Sequence, residues 1–222
     1  MRRFIFGLIG AWACLAGPLH AEPSGLREKP NKRFVAAGHH LYYDSDVAAG
    51  QSPLEIDADD LDRLKAELSR NGGVKTLVLN SGGGSLWAAE EMARIVIDYG
   101  LDTHVDGECS SACVTLFLAG ETRTMARGSK IGFHQNTWSA EGMREYYKSW
   151  YGHDEGWENP FEFAEWVYHF TQTEAHDYLS YMVERGVEPG FAIRSERPVK
   201  DFWYPRRQEL AAAGVLRDMA TR

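Results

Sequence analysis

The sequence has few cysteines, no basic block and, beyond its first residues, no long apolar run. Three of its 222 residues are cysteines, and the formal net charge is -8. An acidic chain without a lysine- or arginine-rich stretch argues against binding to nucleic acids or to anionic membrane surfaces. After residue 17 no apolar stretch approaches the roughly 20 residues of a membrane-spanning helix, so no integral span is expected in the mature chain.

The first 21 residues have the three parts of a secretory signal peptide. Two arginines precede an apolar run from Phe4 to Gly17, and Leu19-His20-Ala21 provides a small-residue cleavage site. The run is too short for an ordinary membrane span. We therefore predict cleavage after Ala21 and a periplasmic or secreted protein, with an uncleaved anchor as the less favoured alternative.

The remainder is predicted to hold a flexible polar leader, residues 22–33, and one α/β domain, residues 34–222. Apolar periodicity predicts helices and strands in alternation, with one strand in 34–46, a helix at 59–70, a strand at 74–79, a helix at 85–99, a strand at 102–106, a helix at 111–119 and strands near 122–126 and 130–134. This alternation indicates a mostly parallel sheet with helices packed around it.

Residues 136–200 depart from this pattern and are predicted to form a helical insert. Aromatic side chains are dense there, as in Trp138, Tyr146, Tyr147, Trp150, Tyr151, Trp157, Phe161, Phe163, Trp166, Tyr168 and Phe170. The favoured interpretation is helices that cover the core with large side chains. A lid, a substrate wall or a subunit interface is the alternative.

Two turns and one strand end carry residues suited to catalysis. Asn80-Ser81-Gly82-Gly83-Gly84-Ser85 joins a strand to a helix, and its glycines can turn sharply and present bare N–H groups. Gly107-Glu108-Cys109-Ser110-Ser111-Ala112-Cys113 places a serine at a predicted helix N-terminus, where unpaired N–H groups stabilise an oxyanion. His134, at the end of Gly132-Phe133-His134-Gln135, could accept the hydroxyl proton.

These motifs resemble the ClpP/crotonase superfamily, and in particular the proteolytic subunit of the Clp protease. The family pattern is a strand ending Asn-Ser-Pro-Gly-Gly, then Gly-x-x-x-Ser-x-x-x opening a helix that ends Ala-Gly, then a strand ending His-Gln. This chain matches from Asn80 to Gly84, without a gap from Gly107 to Gly120, and at His134-Gln135. It departs at Gly82, where the family has proline, in the cysteines that flank the serine, and over residues 136–200.

The resemblance implies a fold of repeated ββα units and a serine peptidase. Ser111 would be the nucleophile and His134 the general base, with the backbone N–H groups of Gly84 and Ala112 as the oxyanion hole. No metal or cofactor is needed for this chemistry. In the family a long helix mediates ring-to-ring contact, so the resemblance also suggests a homo-oligomer.

Other roles stay open at this stage. The family's acid lies late in the chain, and Asp201, followed by Phe-Trp-Tyr, matches its segment with one residue inserted; Glu196 competes for this position. Ser111 could instead be an ordinary helix cap, and Ser110 is its nearest rival as nucleophile. Lys130 is a rival base, because related peptidases use Ser-Lys pairs.

Cys109 and Cys113 flank the candidate nucleophile. Two cysteines in an exported protein suggest a disulfide. In a regular helix, however, Cβ atoms four residues apart lie about 5–6 Å from each other, and a disulfide requires roughly 3.5–4.5 Å. A bridge therefore requires Cys109 to sit on the turn before the helix, and two buried free thiols are an equal alternative. Two such ligands alone do not make a zinc site.

The sequence thus predicts an exported, ATP-independent serine hydrolase acting on short peptides or unfolded protein, because a cytosolic unfoldase partner would be out of reach. A non-catalytic binding or assembly protein that keeps the cleft of the fold is the alternative, favoured by the cysteines beside Ser111. Crotonase-type acyl-CoA chemistry fits less well, because CoA is not expected outside the cytoplasm.

Overall fold

A computed structural model describes residues 32–50, 52–153 and 156–218. The predicted signal peptide and leader up to residue 31 lie outside these residues. Six strands of the described chain form one sheet: β1 (Phe34–Ala37), β2 (His40–Asp44), β3 (Thr76–Ser81), β4 (Asp102–Ser110), β5 (Arg123–Met125) and β6 (Lys130–Gly132). The helices of the described chain are α1 (Ala58–Arg70), α2 (Leu86–Asp98), α3 (Ala112–Leu118), α4 (Ala140–Trp150), α5 (Pro160–Glu184), α6 (Pro189–Ser195) and α7 (Arg207–Ala212).

The sheet runs in the order β1-β2-β3-β4-β5, and β6 pairs with the far end of β4. β1 and β2 form an antiparallel hairpin, while the other pairs are parallel. Parallel pairing follows from the helices that connect these strands across the sheet. The predicted α/β fold with a mostly parallel sheet and packed helices is confirmed.

The core lies between the sheet and helices α1, α2 and α3. α1 begins at a capping box: the Asp57 side chain accepts from the Asp60 N–H, and the Asp60 side chain accepts from the Asp57 N–H. The helix buries Leu64 and Leu68. α2 buries its alanine-rich face and Met92, and all seven residues of α3 are buried. Close packing on all sides therefore fixes the helix that begins at the candidate nucleophile.

The start of the described chain is held by a buried ion pair. Arg33, which the sequence assigned to the leader, is 2% exposed and contacts Asp60 at 2.9 Å. The Tyr43 hydroxyl donates to the same carboxylate at 2.7 Å. Burial, and secondarily the charge of Asp60, raises the pKa of Tyr43 well above its ordinary value. Arg33 thus belongs to the folded domain rather than to the leader.

A second buried arginine connects the C-terminal segment to the end of α3. Arg123 donates to the carbonyls of Leu118, Gly214 and Val215 at 2.7–3.2 Å. Burial, with the neighbouring Arg185 and Arg217, lowers the pKa of Arg123 to about 10. The guanidinium therefore satisfies carbonyl groups that the end of a helix leaves unpaired.

The aromatic insert differs from its favoured interpretation. α4 buries no residue, and in the 25 residues of α5 only Phe163 and Met182 are buried. The rings of α4 and the first half of α5 pack against one another, whereas Tyr178, Leu179 and Tyr181 pack against the core. Only the second half of α5 therefore covers the core. No described helix is both long and apolar enough to cross a membrane.

Candidate active site

Ser111 occupies a sharp turn between β4 and α3. Its backbone has φ 55° and ψ -131°, and it is the one described residue other than glycine with a positive φ. This region is costly for a residue with a side chain, and such strain concentrates at functional sites. In α/β-hydrolases a strand-to-helix turn of this kind exposes the hydroxyl of the catalytic serine.

The glycine turn after β3 packs directly against this serine. A Cβ added to Gly83, whose φ is 111°, would lie 2.6 Å from the Cβ of Ser111 and 2.8 Å from the carbonyl oxygen of Ser110. Only a residue without a side chain permits such an approach. The two turns that the sequence singled out therefore meet at one edge of the sheet.

The hydroxyl of Ser111 lies 2.7 Å from Nε2 of His134. Ser111 is the N-cap residue of α3, yet its side chain forms no capping hydrogen bond. The hydroxyl is therefore directed to the imidazole rather than to the helix. The distance suits a hydrogen bond in which the hydroxyl donates to an unprotonated ring nitrogen, as a base-activated nucleophile requires.

His134 follows β6, and the residue before it, Phe133, forms an antiparallel bridge that fixes this segment. The amides of Phe133 and Trp203 donate to each other's carbonyls at 2.9 and 2.8 Å. This pairing brings Phe202 opposite His134, and the two rings meet edge to face with centroids 4.9 Å apart. Packing against Phe202 thus orients the imidazole.

The backbone N–H groups of Gly84 and Ala112, the predicted oxyanion hole, lie in the two turns beside Ser111. The bonds from the Ile56 amide to the Gly83 carbonyl and from the Ser85 amide to the Ile56 carbonyl fix the backbone on both sides of Gly84. No hydrogen bond among the described residues uses the N–H of Gly84 or of Ala112. Both amides therefore remain able to donate.

The structure brings neither candidate acid to His134. No hydrogen bond or ion pair joins the imidazole to Asp201 or Glu196 within the described ranges. Asp201 is exposed, one residue from Phe202 and thus one step out of register with the histidine. Glu196 follows α6, where burial, and secondarily the charge of Glu174, raises its pKa.

A polar cluster beside the site contains Ser110 and Lys130, the alternative candidates for nucleophile and base. Ser110 and Tyr204 donate to Oε1 of Glu108 at 2.7 Å, and Lys130 contacts Oε2 at 2.7 Å. Burial favours a higher pKa for Glu108, but the bonds from Lys130, Tyr204 and Ser110 lower it overall. The bond to Glu108 raises the pKa of Lys130. Lys130 is therefore held as a cation, which makes it a poor base.

Cys109 and Cys113 form a disulfide across the serine turn. Cys109 lies near the end of β4 and Cys113 is the second residue of α3, with Cα atoms 5.3 Å apart. Both side chains are fully buried. The strand position of Cys109 supplies the geometry that a regular helix would not.

A small pocket adjoins the serine and the histidine. Its volume is about 20 Å³, which holds roughly one water-sized group. Its walls come from α2, α3, α5 and the end of β6, and consist of Leu86, Ser111, Ala112, Val114, Thr115, Gly132, Phe133, His134, Asn136 and Tyr178. The sequence did not point to three further residues at the site: Thr115, Glu108 and Tyr204. Glu108 could have been found, because it precedes Ser110 by two residues and so lies on the same face of the strand.

No family model and no curated protein matches the sequence. Solved structures do match. ClpP1 from Listeria monocytogenes superposes with a TM-score of 0.51 at 15% identity, over 73% of this chain and 84% of that chain. An asparagine-to-aspartate mutant of that protein gives a TM-score of 0.50 at 16% identity over the same shares. At such identities the likeness establishes the fold, and the chain has a ClpP-like fold.

Proposed function

We propose that this protein is a serine hydrolase that cleaves peptides, with Ser111 as nucleophile and His134 as general base. The observation that carries the proposal is the 2.7 Å distance between Ser111 Oγ and His134 Nε2 at a turn with a φ of 55°. A hydroxyl that served only the fold would bond to the helix N-terminus beside it. The ClpP-like fold supports the same reading.

In the proposed reaction, Ser111 Oγ attacks the peptide carbonyl while Nε2 of His134 removes the hydroxyl proton. The N–H groups of Gly84 and Ala112 donate to the oxygen that becomes negative in the tetrahedral intermediate. His134 then protonates the leaving amine, and a water molecule hydrolyses the acyl-enzyme in a second cycle.

The rest of the proposal concerns the surroundings of this pair. The leader predicts an exported enzyme, for which an ATP-driven unfoldase is not expected, so short peptides and unfolded chains are the proposed substrates. A homo-oligomer is proposed from the resemblance. Because no carboxylate contacts the imidazole within the described chain, the proposed machinery is a pair, and Asp201 acts at most through its neighbour Phe202.

A fluorescent fluorophosphonate tests the proposal. The mature protein should be labelled at Ser111, as located by mass spectrometry of its peptides. Ser111→Ala should abolish labelling and peptide hydrolysis with the melting temperature nearly unchanged, because among the described residues the hydroxyl bonds only to His134. His134→Ala should lower both by orders of magnitude, because the two residues act as a unit.

Ser110→Ala is the matched control and should still be labelled, because its hydroxyl bonds to Glu108 instead. Asp201→Asn should keep most of the activity. Labelling that persists in Ser111→Ala, or that maps to Ser110, would show that the assignment is wrong.

A binding or assembly protein is the second candidate function. The disulfide that brackets Ser111 and the small size of the adjoining pocket favour it, because the bridge constrains the serine turn and the pocket leaves little room for a substrate. A folded protein with an intact disulfide that resists the fluorophosphonate and cleaves no peptide would support this candidate.

A further inference from the structure

The hydroxyl of Thr115 is buried and has no hydrogen-bond partner among the described residues. Thr115 is 4% exposed, and its Oγ1 is the one buried side-chain oxygen or nitrogen in the described ranges that forms no hydrogen bond. Native proteins pair nearly all such groups, because an unmade bond leaves the cost of desolvation uncompensated. This hydroxyl therefore requires an explanation.

Other threonines of the chain show what a buried or helical hydroxyl ordinarily does. Thr171 and Thr173 in α5 donate to the carbonyls four residues earlier, at 2.9 and 3.1 Å. Thr103 in β4 donates to the Phe117 carbonyl at 2.6 Å. Thr115 lies in α3 and forms no such bond with any described residue, so the hydrogen-bonding capacity of its hydroxyl is unused.

Thr115 also lies where a substrate would meet it. It follows Ser111 by four residues, one helical turn, and residues at this spacing share a helix face. Both line the same pocket of about 20 Å³, whose other walls include the apolar side chains of Leu86, Val114 and Phe133. Polar side chains, among them His134 and Asn136, line it as well. The pocket thus combines little room with one hydroxyl that no other described residue satisfies.

We propose that this pocket holds the substrate side chain on the acyl side of the cleaved bond, and that Thr115 selects a small residue with a hydroxyl, serine, there. This inference rests on the proposed function. A serine hydroxyl can both accept from and donate to Oγ1 of Thr115. Alanine fits but leaves Oγ1 unpaired, and leucine exceeds the space. A site built to bond a substrate hydroxyl rejects an analogue that lacks it more strongly than an apolar pocket rejects a missing methylene.

Peptides that differ only at this residue, carrying serine, alanine or leucine, test the proposal. The wild-type protein should favour serine over alanine by about tenfold or more in kcat/KM, and leucine should be the poorest. Thr115→Val keeps the volume and removes the hydroxyl, so it should erase the preference for serine. Thr115→Ser should retain it. Thr171→Val, which removes a helical hydroxyl outside the pocket, should change nothing.

Two further measurements separate this proposal from the hydrolase assignment. Fluorophosphonate labelling of Ser111 reports the nucleophile regardless of side-chain preference. Calorimetry on the Ser111→Ala protein, with peptides that end in serine or alanine, reports the pocket without chemistry. If the protein is labelled but Thr115→Val leaves the serine-to-alanine ratio unchanged in both assays, the role of Thr115 is wrong and the hydrolase stands.

The reverse outcome is equally distinct. Suppose that the protein is not labelled, but that its Ser111→Ala variant binds the serine peptide more tightly than the alanine peptide. If a variant that also carries Thr115→Val loses this difference, the hydrolase assignment is rejected and the selection by Thr115 is retained. Equal binding of both peptides in an unlabelled protein rejects both proposals.

Discussion

Helices α3 and α5 are built in opposite ways. Every residue of the short α3 is buried, whereas two of the 25 residues of α5 are buried and Phe161 and Tyr168 are 84% and 66% exposed. The serine turn before α3 is accordingly fixed by contacts on all sides, and the aromatic arm formed by α4 and the first half of α5 is fixed by its own rings. Catalytic geometry should therefore tolerate changes in the arm far better than changes around α3.

Among single substitutions, Gly83→Ala should disturb the serine turn before α3 the most. The added methyl would lie 2.6 Å from Ser111 Cβ, and a φ of 111° strains any side chain there. Since misplacement of a nucleophile by about 1 Å can cost about 100-fold in rate, we expect a loss of fluorophosphonate labelling rate of at least that size. Chemical denaturation should also show a clear loss of stability.

Gly82→Ala is the matched control in the same turn. Apart from its own chain neighbours, no atom of the described residues lies within 4 Å of its added Cβ, and its φ is not in the left-handed region. It should be labelled at nearly the wild-type rate. Equal effects of the two substitutions would mean that the close approach of the two turns does not position Ser111.

Reduction of the disulfide should have the next largest effect. The bridge closes a loop of sequence separation 4, so the chain-entropy model gives it only about 2 kcal/mol of stability. It spans Ser111, however, so its loss should slow labelling by about tenfold through altered positioning. Labelling rates and thiol counts before and after reductant measure both effects.

A double Cys109→Ser, Cys113→Ser variant should label slowly in either redox state. Wild-type protein that labels equally fast when its thiols are shown to be reduced would contradict a positioning role. Two free thiols in protein isolated from an oxidising compartment would show that Cys109 and Cys113 do not form the disulfide.

Trp166→Ala should alter the arm and leave the site almost unchanged. The Trp166 ring packs against those of Tyr146, Trp157, Phe163 and Phe170, with centroids 4.8–6.1 Å apart. Each aromatic pair contributes about 0.5–1.5 kcal/mol beyond burial, so hydrogen exchange in α4 and the first half of α5 should accelerate. Labelling should stay within about twofold of wild type.

The exposed Tyr168 supplies the control for this arm, because Tyr168→Ala removes a ring of similar size from the same helix. It should affect neither exchange nor labelling. A large loss of labelling in Trp166→Ala would show that the arm shapes the site, as a lid or substrate wall does.

Elements of the sheet with regular apolar patterns were predictable from sequence. The predicted strand at 74–79 and helix at 59–70 correspond to β3 and α1, because buried strands and amphipathic helices carry their own periodicity. The single strand expected in 34–46 is a hairpin that turns at Gly38, where φ is 59°. β4 continues to Ser110, past its predicted end, because its polar last residues pair with β6.

The site was predictable where local motifs define it and not where distant segments meet. Ser111 and His134 each end a recognisable strand, so their proximity followed from the fold. The position of Asp201 depends on how Trp203 pairs with Phe133, 70 residues earlier in the sequence, and one step of register brings Phe202 to the imidazole instead. Nothing in the sequence distinguished Thr115 from an ordinary helix residue, because only the structure shows that its hydroxyl has no hydrogen-bond partner among the described residues.

The bonds of Arg123 have a consequence for the order in which the chain folds. This guanidinium bonds both to Leu118 at the end of α3 and to carbonyls more than 90 residues later. Phe133 pairs with Trp203, which is 70 residues later. Contacts of such long range form slowly, because the entropy of closing a long loop precedes any gain. Helix α3 and the segment that carries His134 therefore reach their final positions only after nearly the whole chain is available. We therefore expect the Ser111–His134 pair to form late in folding, after the C-terminal segment has packed.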